Sequence, residues 1–304
     1  MRKGGTLTIL RDCLCYLSTL AVDGHYRIIA LVHKRELADY PGIRYIEMPD
    51  IIKGWSRRLW CEYVTMNRIS VRIAPVYLWI SLHDTTPRVR AERQVVYCQT
   101  SFPFYKWNWR DFRFDYKIVL FALFTRFAYR INVHRNDFLI VQQEWLRSGL
   151  SRLLRVKEEK FIVAPPEHKE SRVVAERIER SCFTFLYAST PDCHKNFEFV
   201  CEAVSLLEQE IGKDVFKLVL TINGQENKYS KWLHRKYGSG RLIEFSPISE
   251  FMFTGKPMLL ADLPYARETA SGSERTAFFS LSAPELLKEQ MKRLWRGDTS
   301  FLAL

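Results

Sequence analysis

Short apolar runs rich in β-branched and aromatic residues recur along this chain. Stretches of helical spacing separate most of them, and that alternation restricts the fold more than any other feature. In the N-terminal half the runs are Tyr26–Val32, Arg44–Met48, Val76–His83, Arg93–Gln99 and Asp137–Gln142, and "KFIVAPP" closes the half at Pro166. Helical spacing covers Leu7–Val22, Trp55–Ile73, Lys117–Ile131 and Glu144–Leu154. The second half repeats the pattern. Its strands are Phe183–Ser189, Phe216–Ile222, Arg241–Phe245, Pro257–Asp262 and Ala277–Ser280, and its helices are Asn196–Ile211, Asn227–Tyr237 and Pro284–Trp295. Apolar strands joined through helices imply an α/β fold with parallel, doubly wound, Rossmann-like sheets. A chain of 304 residues is long enough for two such domains. Pro165-Pro166, followed by the charged stretch Glu167–Arg180, marks the boundary, giving domains 1–166 and 167–304.

Composition excludes several classes. The chain is 47% hydrophobic and 26% charged, as in soluble globular proteins. No apolar run reaches the roughly 18 residues needed to span a bilayer. Leu14–Val22 contains Ser18 and Thr19 and reads as a helix rather than a signal peptide. The seven cysteines are irregularly spaced, and Cys13-x-Cys15 is neither a metal nor a redox spacing. Reduced thiols and a cytoplasmic location follow as expectations. The net charge of +12 suits nucleic acid, an anionic membrane face or a phosphorylated substrate, and does not by itself choose among them.

Ligands of parallel sheets bind at the carboxyl ends of the strands, where helix N-termini point. Three features are placed to use that geometry. Gly4-Gly5 precedes the first helix and fits either a plain turn or a close backbone approach to a phosphate. Lys195-Asn196 follows the strand "FTFLYAS" and opens a helix; the lysine is either solvated or set to neutralise a diphosphate. Glu250 stands shortly before Gly255-Lys256-Pro257, where a carboxylate either complements a helix dipole or accepts hydrogen bonds from a ribose.

In this order, with "LVLTINGQEN", "SEFMFTGKPMLLADLPYARE" and "NDFLIVQQEWLRSGL…KFIVAPP", these features resemble the GT-B glycosyltransferases of family 4, of the type that builds bacterial surface polysaccharides. The resemblance covers nearly the whole chain. It implies two Rossmann-like domains and retaining transfer of a sugar from a nucleotide-diphosphate donor to a glycan or lipid-linked acceptor. It requires no cofactor and no metal, and no Asp-x-Asp motif is present. Gly4, Gly5, Lys195, Asn196 and Glu250 would bind the donor, and Gln99, Thr190, Asp262 and Tyr265 would line the cleft. Glu250 matches the second glutamate of the family's paired-glutamate motif, which holds the ribose.

The pattern also departs from the family. Leu242 stands where the motif's first glutamate belongs, and roughly thirty residues carrying a helix and a strand are missing after Phe245 on that comparison. The family's first strand is not found before Gly4-Gly5; Thr190 replaces a frequent arginine and Gln99 the usual histidine, and His83 is one strand early. Each domain is thus expected to lack a strand, which admits a second reading: a degenerate, membrane-associated binding or scaffold subunit. Finally, Phe102–Arg135 interleaves aromatic and basic residues. It suits an anionic membrane surface as well as a core helix flanked by an aromatic loop. No recognition motif supports a nucleic-acid partner.

Overall fold

The computed structural model describes residues 5–49, 55–165, 183–245, 257–270 and 275–302. The chain forms two compact units. The first comprises Met1–Tyr105 and Phe121–His168, and the second Lys106–Leu120 and Lys169–Leu304. Both are α/β, and among the described residues every strand pair is parallel.

In the first unit, α1 (Gly5–Val22) starts two residues before the expected Leu7. Its Leu10 and Leu14, one turn apart, pack against Ala30 and Val32 of β1 (Ile28–Val32) and Ile43 of β2 (Ile43–Glu47). The helix expected over Trp55–Ile73 consists of α2 (Trp55–Trp60), a π-helical turn over Cys61–Thr65 and α3 (Met66–Arg72). Strands β3 (Leu78–Ser81), β4 (Arg93–Cys98), β5 (Phe138–Val141) and β6 (Phe161–Val163) pair in chain order. Leu146, Leu150 and Leu154, spaced by four on α5 (Glu144–Leu154), close their core against Leu139, Val141 and Phe161. A Cβ at Gly149 would lie 2.8 Å from the Phe104 ring, so a larger residue there would have to push that ring aside.

Helix α4 (Trp109–Arg130) begins well before the expected Lys117 and is broken at Asp115, whose backbone is non-helical. Two local caps explain this. The Asn108 N–H donates to Asp111 Oδ2 and the Asp111 N–H to Asn108 Oδ1, both at 3.0 Å, the reciprocal bonds of a capping box. Asp115 Oδ1 then accepts from the N–H groups of Lys117 and Ile118 at 3.0 and 3.3 Å and restarts the helix.

The second unit holds β7 (Phe183–Tyr187), β8 (Phe216–Leu220) and β9 (Ile243–Phe245) in one sheet, and β10 (Met258–Ala261) with β11 (Thr276–Phe279) in another. Phe199, Ala203 and Leu207 of α6 (Phe197–Ile211) share a core with Leu287 and Met291 of α9 (Pro284–Trp295). A short helix not expected from the sequence, α8 (Pro264–Thr269), follows β10.

Each unit's strands therefore fall into two sheets, ordered β2-β1 and β3-β4-β5-β6 in the first, β9-β8-β7 and β10-β11 in the second. A doubly wound sheet runs 3-2-1-4-5-6 without interruption. Leu31 of β1 and Trp79 of β3 nonetheless share one apolar cluster, as do Phe185 of β7 and Leu259 of β10. Burial falls toward the second break. β8 and β11 are mostly buried, whereas β7 and β10 contain no fully buried residue. Central strands of parallel sheets are normally covered on both faces; among the described residues β7 and β10 are neither paired with each other nor covered in that way.

Candidate functional site

At their carboxyl ends, β7 and β8 are tied together. The Ser189 N–H donates to Thr221 Oγ1 at 3.0 Å, and Asn227 Nδ2 to the Pro191 carbonyl at 2.6 Å. The same Asn227 caps α7 (Lys228–Tyr237) through a box with Ser230. Between the strands and α6, Cys193–Lys195 form a 3-10 turn, and Asn196 caps α6 with φ +55. Asparagine tolerates this left-handed conformation better than most residues. The Tyr187 hydroxyl donates to the Lys195 carbonyl at 2.6 Å, and Thr190 Oγ1 donates to Asp192 Oδ2 at 2.6 Å. Thr190, Lys195 and Asn196 are thus brought together on one strand-end loop.

Arg110 organises the electrostatics beneath this loop. It donates to Asn196 Oδ1 at 2.9 Å and to the Cys193 carbonyl at 3.2 Å. It also pairs with Asp111 and with Glu198 in the first turn of α6, and the Tyr229 hydroxyl donates to Glu198. Burial raises the Tyr229 hydroxyl far above its usual range, so it acts there as a neutral donor. Arg110 thus shares its one charge between two carboxylates at the buried first turn of α6, and the exposed Lys195 ammonium just before that turn is the group placed to meet an anion. Burial, followed by the Lys195 charge, holds His194 below its ordinary value, so this neighbour is neutral at pH 7.

Other expected site residues lie elsewhere. Gly5 is the first residue of α1 rather than part of a preceding turn. Gln99, at the end of β4 in the first unit, is engaged locally: its N–H donates to Asp84 Oδ1 at 2.6 Å and its Nε2 to the Leu82 carbonyl at 2.7 Å. Asp262 follows β10, and Arg267 grips both its carboxylate oxygens at 2.5 and 2.8 Å; its shifted pKa, below the ordinary value, reflects that hydrogen bonding. Tyr265 falls in α8. Gly4, Glu250, Gly255-Lys256 and Glu167–Arg180 lie outside the described residues.

A cluster that sequence reasoning missed sits in the first unit, at the carboxyl end of β3. Glu62, on the π-helical turn, is 2% exposed. Its Oε1 lies 3.1 Å from Arg58 Nε and 3.4 Å from His83 Nε2, and its Oε2 accepts from Thr85 Oγ1 at 2.6 Å. Burial alone would raise the Glu62 carboxyl, but hydrogen bonds from His83 and Thr85 and the Arg58 charge prevail and hold it below its ordinary 4.5. Beside it, burial holds Asp84 above its ordinary value despite hydrogen bonds from the amides of Gln99 and Thr100. The polar run His83-Asp84-Thr85-Thr86 after a strand was the available signal; the π turn that brings in Glu62 leaves no mark in the periodicity.

A depressed carboxyl stabilises the fold above its unfolded pKa and loses that contribution as pH falls through its folded value. Glu62→Gln is therefore expected to cost about 1–3 kcal/mol near neutrality. The gap from the parent chain should narrow as the pH falls below the ordinary carboxyl value and close once the parent's depressed carboxyl protonates. Denaturant unfolding of both chains across that range is the check, and a gap independent of pH would remove the charge-based account.

The strand ends thus define an α/β protein whose second unit places the exposed Lys195 just before α6. No family model matches the chain, and no curated protein matches it. Among the described residues no helix is long and apolar enough to cross a membrane.

Proposed function

We propose that this chain is a glycosyltransferase of the GT-B type, moving a sugar with retention from a nucleotide-diphosphate donor to a glycan or lipid-linked acceptor. The observation that carries the reading is the start of α6, where Lys195 and the helix dipole meet at the joined ends of β7 and β8. A leaving diphosphate there would gain charge stabilisation as the glycosidic bond to it breaks. The test is donor-dependent thermal stabilisation and sugar transfer across a panel of nucleotide sugars, with Lys195→Ala lowering donor affinity roughly tenfold, as expected for one charge-assisted contact. Binding by the parent chain that Lys195→Ala leaves unchanged would refute the assignment.

The break between β7 and β10 among the described residues favours a second reading, a catalytically degenerate glycosyltransferase-like protein serving as a membrane-associated binding or scaffold subunit. Vesicle binding with no donor-dependent shift and no transfer selects it.

Peripheral attachment to an anionic membrane is part of either reading. In the first unit α4 exposes Leu123, Phe124 and Phe127, the two phenylalanines at 64% and 62%. Its other part, in the second unit, exposes Trp109, Phe112 and Tyr116. Aromatic and basic residues together suit the headgroup region. Sedimentation is expected to recover more protein with anionic than with neutral vesicles, less at high salt, and several-fold less for Phe124→Glu/Phe127→Glu, since charged side chains resist insertion. Equal recovery with both lipids at all salts would end this claim.

A further inference from the structure

We propose that the second unit carries a separate site for a phosphate group bearing two negative charges, along α7. This inference does not depend on the sugar-transfer reading, and the site shares no residue with the start of α6. Arg113, Lys228, Lys231 and Arg235 surround a depression of about 340 Å³ walled by Phe114 and Trp232. Lys228, Lys231 and Arg235 are spaced three and four apart, on one face of the helix. A charged helix face alone is usually just solvated. Three observations set this one apart.

The first is that the cations come from two elements. Arg113 reaches the depression from the capped first part of α4, so the charges enclose a concavity instead of lining a convex helix. The second is that the wall is fixed. The Phe114 ring packs 5.2 Å from Tyr229 and 5.3 Å from Trp232, centre to centre, and Tyr229 and Trp232 stack at 6.0 Å. Tyr229 itself is buried, and α7 is held by its capping box. The third is charge balance. Elsewhere on the unit Lys217 pairs with Glu244, Lys236 with Glu202, and Lys288 and Lys292 with Glu210. Among the described residues no carboxylate pairs with Arg113, Lys228, Lys231 or Arg235, and none lines the depression.

Four converging cations repel one another until an anion joins them. Two of the four are guanidinium forks, which match the paired oxygens of a phosphate. A single carboxylate would balance only one of these charges, whereas a phosphate monoester or diphosphate carries two or more. The same chemistry is offered by a soluble diphosphate and by the monoester headgroup of phosphatidic acid, and the experiment separates the two.

The full-length chain is titrated calorimetrically with inorganic pyrophosphate, and separately with phosphatidylcholine vesicles with and without phosphatidic acid. The pocket variant is Arg113→Gln/Lys231→Gln. The control is Lys213→Gln/Arg241→Gln, which removes the same charge from exposed positions away from the depression. Lys195→Ala is included so that binding at the start of α6 is subtracted. Affinity is expected to fall roughly tenfold or more in the pocket variant, to stay near the parent value in the control, and to survive in Lys195→Ala. Pyrophosphate binding that follows this pattern identifies a soluble phosphate ligand. The same pattern seen only with phosphatidic acid identifies a lipid headgroup. Equal losses in the pocket and control variants, or no binding of either probe, would overturn the proposal.

Discussion

Arg110→Met is expected to destabilise the second unit by about 3–5 kcal/mol, because it strands a buried carboxylate. Glu198 is 8% exposed and Asp111 fully buried, and Arg110 is the cation paired with both. Removing the guanidinium also takes the donors from Asn196 Oδ1 and the Cys193 carbonyl. An uncompensated buried charge costs far more than an exposed pair contributes, and the partial exposure of Arg110 itself argues for the lower end of the range. The expectation has an internal control: Arg110→Met/Glu198→Leu should recover part of the loss, since Glu198 is then no longer left alone, while the buried Asp111 still is. Denaturant unfolding of the parent, the single and the double variant measures all three. A single variant within about 0.5 kcal/mol of the parent, the usual scatter of a surface change, would show that this network does not hold the segment 106–120 on its unit.

How much of this was readable beforehand differs by element. The strands were, because apolar runs such as "RQVVYC" and "FKLVL" keep their character whatever surrounds them; the structure shortens most by a residue or two at their ends. The start of α4 was not, although its signal was present. Asn108 and Asp111 stand three apart before an aromatic run, a capping-box spacing masked by the density of aromatic residues around it. The π-helical turn at Cys61–Thr65 was beyond reach, because a single wider turn in a helix of continuous spacing changes no residue type. The Lys195-Asn196 corner was legible from a strand followed by a helix start. The partner that sets its charge balance was not: Arg110 lies 86 residues before Asn196, and no local pattern joins them.

The sheet break leads to the other large effect expected of this chain. Among the described residues β7 and β10 share an apolar cluster but no ladder, and Phe183, Leu186 and Met258 on them remain exposed. A helix and a five-residue β-branched strand ending in glutamate, inserted in the connection between β9 and β10, would supply the fourth position of a 3-2-1-4-5-6 order. Covering those three side chains at about 1 kcal/mol or more each, before any gain from paired backbone groups, sets an expected stabilisation of about 3–5 kcal/mol. The strand would end beside the carboxyl end of β7, so donor-dependent thermal shift should grow along with stability, because a ligand that binds only the folded state adds to it. Amide exchange on the unmodified chain tests the premise first. Amides of β7 and β10 should exchange faster than those of β8, which is paired on both sides. If all three strands are protected alike, the position between β7 and β10 is already filled in solution, and the insert should then destabilise the unit by competing for an occupied slot.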